Sequence, residues 1–252
     1  MARVFNGTNQ YLKHGSAAPV AYGPMSVAIW FNKDALTQNA WIFYEGGGGG
    51  YWRGVWISST GYARAYWRGA DTRYVESTNI FGAASWNHLG GVWKTKTVQS
   101  VYLNGTATTN DQYSNGGGMT WTSLGASYTG GTPFDGKLFW FTQWDVILSA
   151  SEFASLAAGA HPYLIRPDSI VQHIPFGGLD VEDDVDRVER NTFNAYNSPT
   201  WSDDSPAGLI YPSQQIIGVS QGIITPPPQY NQRQILLKNR MSIQNSRLLI
   251  GK

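Results

Sequence analysis

Alternation between two faces dominates roughly the first 145 residues, and this period of two restricts the chain to β structure more than any other feature does. In Tyr62-Ala63-Arg64-Ala65-Tyr66-Trp67-Arg68, the side chains of Tyr62, Arg64, Tyr66 and Arg68 share one side, and those of Ala63, Ala65 and Trp67 share the other. Residues 25–31 alternate in the same way, with Val27, Ile29 and Phe31 on one face. Successive side chains of a strand point to opposite faces of a sheet, so such runs are strands with two unlike faces. Residues 55–57, 89–93 and 98–103 read as further strands. Turn signals separate the runs. Asn104-Gly105 is a hairpin turn, because a type I′ turn needs positive φ at both central residues. Residues 46–50 and 116–118 are glycine runs that read as flexible hairpin tips. The first is no phosphate loop, since no Gly-Lys-Ser/Thr ending and no helical pattern follow it.

Composition supports this. The chain has 29 glycines and 11 tryptophans, and only 14% charged residues, against about 25% in ordinary domains. That balance fits a turn-rich β protein and excludes disorder and coiled coils. A chain of 252 residues suffices for one large domain, or one domain with an appendage. One helix interrupts the pattern. Ser149-Ala150-Ser151-Glu152 is a capping box, followed by an apolar stripe of Phe153, Leu156 and Ala157; Gly159 ends the helix and Pro162 blocks its resumption. Residues 169–174 read as one more strand. Beyond them comes an acidic stretch of Asp180, Glu182, Asp183, Asp184, Asp186 and Glu189, then a polar, aromatic loop region. Pro226-Pro227-Pro228 is a stiff extended linker. The final segment carries Arg233, Lys238, Arg240, Arg247 and Lys252 with no acid, and its apolar residues include Ile235, Leu236, Leu237, Ile243, Leu248, Leu249 and Ile250. Such a basic, apolar arm cannot bury itself alone.

Several blocks resemble concanavalin A-like, laminin-G-like jelly rolls. Phe5-Asn6-Gly7-Thr8-Asn9-Gln10-Tyr11-Leu12 is similar to their opening strand pair, and Ser26-Val27-Ala28-Ile29-Trp30-Phe31 to their second core strand. Trp86-Asn87-His88-Leu89-Gly90-Gly91-Val92-Trp93 with Val101-Tyr102-Leu103-Asn104-Gly105 resembles their central hairpin. Phe134-Asp135-Gly136-Lys137-Leu138 and Leu148-Ser149-Ala150-Ser151-Glu152-Phe153 resemble their closing strand and helix. Ile165-Arg166-Pro167-Asp168-Ser169 and Ile210-Tyr211-Pro212-Ser213 are similar to the C-terminal extension of jelly rolls encoded in tailed-phage genomes as virion structural proteins. The resemblance implies an all-β, two-sheet antiparallel jelly-roll sandwich with one short helix and an extended C-terminal arm. Residues 1–178 are then the sandwich, 179–225 an acidic and aromatic loop extension packed on it or on a neighbour, and 226–252 the Pro-linked arm.

No pattern of catalysis stands out. Glucanases of this architecture carry Glu-x-Asp-x-Glu, or that motif with one extra residue, on one strand face, and retaining hydrolysis needs two carboxyls ~5 Å apart. The motif is missing. The sandwich acids are Asp34, Glu45, Asp71, Glu76, Asp111, Asp135, Asp145 and Glu152; the cap explains Glu152 and a turn explains Asp135. The later acidic stretch reads as a solvated loop or a contact for a basic partner. No Gly-x-Ser-x-Gly elbow occurs. His14, His88, His161 and His173 are scattered without ligand spacing, and His88 packs in or beside the core. The absence of cysteine excludes disulfides and thiolate metal sites. No cofactor is expected. Calcium enters only through the resemblance, since laminin-G and pentraxin relatives bind it at a sandwich edge; Asn9 stands where many carry an acid, and no ligands are assigned. Asn6-Gly7-Thr8 and Asn104-Gly105-Thr106 match the glycosylation pattern but read as turns.

Most tryptophans, among them Trp41, Trp56, Trp67, Trp86, Trp93 and Trp140, are expected in the core. Trp52, beside Tyr51 and Arg53, is a surface candidate. The stripe of Tyr62, Arg64, Tyr66 and Arg68 is either a docking face, since Tyr and Arg favour hot spots, or a solvated face with cross-strand Tyr–Arg packing; stacking of sugars is a third and weaker reading. A net charge of +1 gives no general pull toward nucleic acid or membrane, and no apolar run is long enough to span a bilayer. No signal peptide is visible, so folding in a host cytoplasm is expected. The expected function is a non-enzymatic virion structural protein, a capsid decoration protein. Arg233, Ile235, Leu236, Leu237, Arg240, Ile243, Leu248 and Leu249 would anchor its arm to neighbouring subunits, as a homo-oligomer, or to the major capsid protein or other virion proteins. The alternative is a glycan-binding tail or fibre module for host attachment.

Overall fold

The structure is a computed structural model and describes residues 2–211 apart from 16–17, 21–22, 70–71, 96–97, 112–117, 177–185 and 189–191. Two antiparallel sheets face each other. The larger has eight strands: β10 (Thr106–Asn110), β9 (Gln99–Leu103), β8 (Trp86–Trp93), β3 (Met25–Lys33), β12 (Asp135–Trp144), β1 (Ala2–Asn6) and β15 (Thr200–Ser202) in that order, with β13 (Ile170–Ile174) also paired to β12. The smaller has seven: β14 (Asn194–Tyr196), β2 (Tyr11–His14), β11 (Trp121–Leu124), β4 (Ala40–Gly46), β5 (Trp52–Ile57), β6 (Tyr62–Arg68) and β7 (Thr72–Ile80). Together with the helix α1 (Ala150–Ala157), the strands that the period-two runs predict form the all-β jelly-roll sandwich that the resemblance implies.

The inward residues of both sheets form one core. Val27, Ile29 and Phe31 of β3 meet Phe43, Val55, Ala65 and Trp67 of the facing sheet, and Phe43 stacks on Phe141 at 5.1 Å between ring centroids. Asn104 and Gly105 both take positive φ, 50° and 80°, as the hairpin from β9 to β10 requires. The capping box forms as expected: the Ser149 hydroxyl accepts from the Glu152 N–H, and a Glu152 carboxylate oxygen accepts from the Ser149 N–H at 2.6 Å. Gly90 and Gly91 in β8 let neighbours approach on both faces. A Cβ on Gly90 would lie 2.3 Å from the Phe153 ring of α1, and one on Gly91 would lie 2.6 Å from Val55 across the core. Thus α1 docks on the outer face of the eight-stranded sheet, where Phe153 stacks on Tyr102 at 4.0 Å.

Residues after β13 return to both sheets, β14 pairing with β2 and β15 with β1. Ile210 then bridges to Ala160, accepting a bond from the His161 N–H at 2.8 Å. Asp186 does not belong to a solvated acidic loop. It is buried, and its Oδ1 accepts from the backbone N–H of His173 at 2.8 Å and of Val188 at 3.0 Å, because those amides find no strand partner there. The other acids of that stretch, Asp180, Glu182, Asp183, Asp184 and Glu189, lie outside the described residues, as do Gly116, Gly117 and every arm residue from Arg233 to Leu249. The glycine run in the first hairpin is a short 3-10 turn, residues Gly48–Gly50, with Gly49 at φ 78°.

Candidate functional site

The outer faces of the two sheets differ in what covers them. Over the eight-stranded sheet lie α1 and the segment carrying Leu209, so Trp30, Tyr102, Phe139 and Trp140 are buried there. Among the described residues no strand or helix packs extensively on the outer face of β4–β7; β5 and β6 make their main contacts with sheet neighbours and, through the core, with the opposite sheet. Aromatic side chains fill that face instead.

Cross-strand register places them in rows. Tyr44, Gly54, Tyr66 and Tyr74 lie side by side across β4, β5, β6 and β7. One step along, Trp41, Trp56, Arg64 and Glu76 form the next row; on the other side Trp52 and Arg68 pair. Gly54 is the key to the arrangement. A Cβ there would lie 2.2 Å from the Phe43 carbonyl oxygen and 3.1 Å from the Trp41 ring, so the missing side chain lets both the β4 backbone and Trp41 come close. The Trp41 ring sits 5.2 Å from Tyr44, 5.2 Å from Trp52, 6.4 Å from Trp56 and 5.5 Å from Tyr66. Tyr74 continues the plate, 5.1 Å from Tyr66, and is 42% exposed.

Arg64 fastens the polar border. Its Nε donates to Glu76 Oε2 at 2.5 Å and its Nη1 to the Tyr66 hydroxyl at 3.1 Å, while the guanidinium lies 4.9 Å over Trp56 and 4.7 Å over Tyr74. Burial pushes the Tyr44 and Tyr66 phenols up, against the opposing pull of Arg68 and Arg64 respectively, so both keep their protons at neutral pH. Behind the plate, between the sheets, Arg53 and Glu45 form a buried ion pair with Nε–Oε2 at 2.6 Å. Arg53 also donates to the Val20 carbonyl, and Gln143 of β12 donates to Glu45 Oε1 at 3.1 Å. Burial raises the Glu45 carboxyl, and Arg53 pulls it back down. The pair ties β4 to β5, and Gln143 ties both to the opposite sheet.

The stripe of Tyr62, Arg64, Tyr66 and Arg68 lies on this outer face, with Ala63, Ala65 and Trp67 beneath it in the core. Trp52 is at the surface as expected, but its neighbour Arg53 points inward and is buried, because alternation sends adjacent residues to opposite faces. Trp56 is not a core residue: Val55 and Ile57 take the inward positions and turn it outward. Trp41 is buried as expected, but among the outer-face aromatics rather than between the sheets. A bulge between Trp41 and Phe43 sends both Ile42 and Phe43 into the core, which moves Trp41 to the outer face. Tyr44, Tyr74 and Glu76 were not singled out from the sequence; alternation in residues 72–78 and the Trp-x-Gly-x-Trp spacing around Gly54 were the available signals.

Elsewhere, several ionisable groups have structural partners, while the buried Lys33 ammonium makes no hydrogen bond among the described residues. Glu152 caps α1 and meets Arg166 at 2.5 Å; Asp204 meets Lys137 at 2.8 Å and the Trp86 indole at 3.1 Å. His161 and His173, distant in sequence, have rings 5.7 Å apart, and His173 shares a 2.8 Å bond with the Thr142 hydroxyl. Burial lowers His88 to about 3, His161 to about 4 and His173 to about 3, so all three are neutral at pH 7. Among the described residues, no group of three His, Cys, Asp or Glu side chains converges as a metal site, and no helix is long and apolar enough to cross a membrane.

Comparisons with known proteins agree with the architecture. A putative carbohydrate binding protein from Bacteroides ovatus superposes with a TM-score of 0.61 at 19% identity, covering 82% of this chain and 61% of that one. A heptameric SAP-like pentraxin from Limulus polyphemus superposes at 0.57 with 16% identity, covering 79% of this chain and 93% of that one. Domain 4 of AbnA, an extracellular arabinanase from Geobacillus stearothermophilus solved with arabinotriose, superposes at 0.50 with 19% identity, covering 62% and 76%. At such identities the likeness is one of fold. No curated protein sequence matches the chain. A family profile matches residues 6–154, more than half of the chain, and with the two-sheet architecture it places this protein in the concanavalin A-like lectin/glucanases superfamily.

Proposed function

We propose that this protein is a carbohydrate-binding module that holds its glycan against the outer face of β4–β7. The observation that carries the proposal is the plate of Trp41, Tyr44, Trp52, Trp56, Tyr66 and Tyr74 around Gly54, on a sheet face that no described element covers. A sugar ring offers an apolar C–H face and a border of hydroxyls. Aromatic faces take the first, and phenols, amides and guanidinium groups at the border take the second. The plate is pre-formed, because Trp41 wedges its centre and the Arg64–Glu76 pair holds its border. Little ordering cost then opposes binding. The carboxylate on this face among the described residues, Glu76, is held by Arg64, so the face is read as binding without chemistry. Two of the superposed proteins, the Bacteroides ovatus protein and the arabinanase domain, are named for or solved with carbohydrate, which supports the same class of ligand.

The test is retention of the full chain by a panel of immobilised neutral and acidic polysaccharides. At least one should retain the wild type, and Trp52→Ala and Tyr74→Ala should each weaken retention by about tenfold or more, as loss of a stacking aromatic does. Failure of every polysaccharide, or unchanged binding by both variants, overturns the proposal.

A second reading rests on the tail. Residues 226–252 hold basic and apolar residues with no acid behind three prolines, a composition suited to gripping a neighbouring surface. On this reading the module is a virion structural protein, anchored by its arm to neighbouring subunits or the major capsid protein while the plate faces outward. A chain truncated after Thr225 should fold, keep its carbohydrate affinity and fail to join particles; unchanged incorporation removes this reading and leaves the first intact.

A further inference from the structure

Tyr62 ends the plate and also lines a second feature. An open depression of about 600 Å³ lies at the edge of the sandwich, bordered by Tyr62, Thr78, Asn79, Ile80, Leu103 and Thr106. It forms where the end of β7 meets the β9–β10 hairpin. The two sheet edges are pinned there: the Asn110 amide donates to the Tyr74 carbonyl at 2.6 Å, and the Thr78 N–H donates to the Thr108 hydroxyl at 3.2 Å. The side chain of Asn104 is occupied structurally, accepting from the His88 N–H at 2.8 Å and donating to Asn87 at 3.0 Å. Hydroxyl and amide groups of Thr78, Asn79 and Thr106 remain at the surface beside Ile80, an isoleucine 60% exposed among polar neighbours. Tyr62 shares the outward side of β6 with Arg64 and Tyr66 and pairs with Ile80 across a register shift, so the depression lies beyond the plate at the end of that stripe.

Two quantities follow. From Arg68 to Tyr62 the face runs six residue steps, about 20 Å at ~3.4 Å per residue, before the depression begins. That exceeds what one terminal sugar covers. The depression carries no charged side chain, the Arg64 and Glu76 charges cancel in their ion pair, and Arg68 stands at the opposite end of the face. Resting on the carbohydrate reading, we infer that the ligand is a polysaccharide bound along its chain, running from the plate past Tyr62 into the edge depression, with several sugar units engaged at once and uncharged units at the depression. Plate rings hold the sugars by stacking; Asn79, Thr78 and Thr106 hold the last units by hydrogen bonds at the edge.

The experiment titrates the full chain, followed by tryptophan fluorescence, with neutral gluco-oligosaccharides and arabino-oligosaccharides from disaccharide to octasaccharide, and with uronate oligosaccharides of the same lengths. Affinity for a neutral series should climb beyond the trisaccharide. The exposed-site double variant Thr78→Val/Asn79→Ala should lower affinity for the longest members by about three- to tenfold, the worth of one or two hydrogen bonds, and leave short members unchanged. Trp52→Ala should weaken all lengths. If affinity levels off at the disaccharide, if the double variant binds long chains as the wild type does, or if uronates bind best, this inference falls while the plate stands. If Trp52→Ala also binds all lengths as the wild type does, the carbohydrate reading falls with it.

Discussion

Replacing Arg53 by methionine would strand the Glu45 carboxylate between the sheets. Both side chains are essentially inaccessible, at 1% and 0%, and their atoms are 2.6 Å apart. Two routes give the magnitude. Opposite charges ~4 Å apart attract by about 4 kcal/mol at an effective dielectric near 20. Removing one partner of a buried pair typically costs about 3–5 kcal/mol, because the survivor is left desolvated. We therefore expect Arg53→Met to lose about 3–5 kcal/mol by urea denaturation, or roughly 6–20 °C in Tm for a domain of this size. The deficit should depend on pH. Burial already raises Glu45, and without Arg53 only Gln143 and Thr122 oppose that rise. The native variant would then retain a proton that the unfolded chain has lost, so stability falls as pH rises above the ordinary carboxylate range. The deficit should be smaller at pH 5 than at pH 8. The double variant Glu45→Leu/Arg53→Met removes both charges and leaves Gln143 Nε2 without its 3.1 Å acceptor, a loss of about 1–3 kcal/mol. If Arg53→Met costs less than about 1 kcal/mol, or if the double variant costs as much as the two single changes added, the ion pair does not hold the sheets as argued.

Two further outcomes test other parts of the fold. Gly90→Ala places a methyl 2.3 Å from Phe153 and should cost about 1–3 kcal/mol, with part of it returned by Phe153→Leu in the same chain; an unaffected melting curve would mean that α1 moves freely. His88 and His173 are held near pKa 3, below their ordinary value of 6.5, so their contribution is fully present above about pH 6.5 and is lost as pH falls toward 3. The unfolding free energy should drop by about 2 kcal/mol per histidine between pH 7 and pH 5, and His88→Phe should flatten that slope; a pH-independent midpoint would contradict it.

Much of the architecture was legible locally. The alternation in residues 62–68 made β6 a two-faced strand, Asn104-Gly105 made a hairpin, and Ser149 with Glu152 started a helix, because each is settled by interactions within a few residues. Other features were not. The outer positions of β3, Ser26, Ala28 and Trp30, are as buried as its inner ones, since α1 and the segment near Leu209 return from far along the chain to cover them. Asp186 looked like one acid among many and is a buried acceptor for strand-end amides. His161 and His173 carried no ligand-like spacing, yet the fold sets their rings in contact.

The candidate site divides along the same line. Sequence alone determined that the chain is a turn-rich β sandwich and that Tyr62, Arg64, Tyr66 and Arg68 share a side, because the direction of a side chain along one strand follows from backbone pleating. Only the tertiary structure decided that this side is the one no described element covers, that Trp41 crosses to it at a bulge, and that Gly54 lies directly beside Tyr44 and Tyr66. Strand register and the covering of a face depend on contacts between distant segments, and a period of two carries no information about which strand lies next to which.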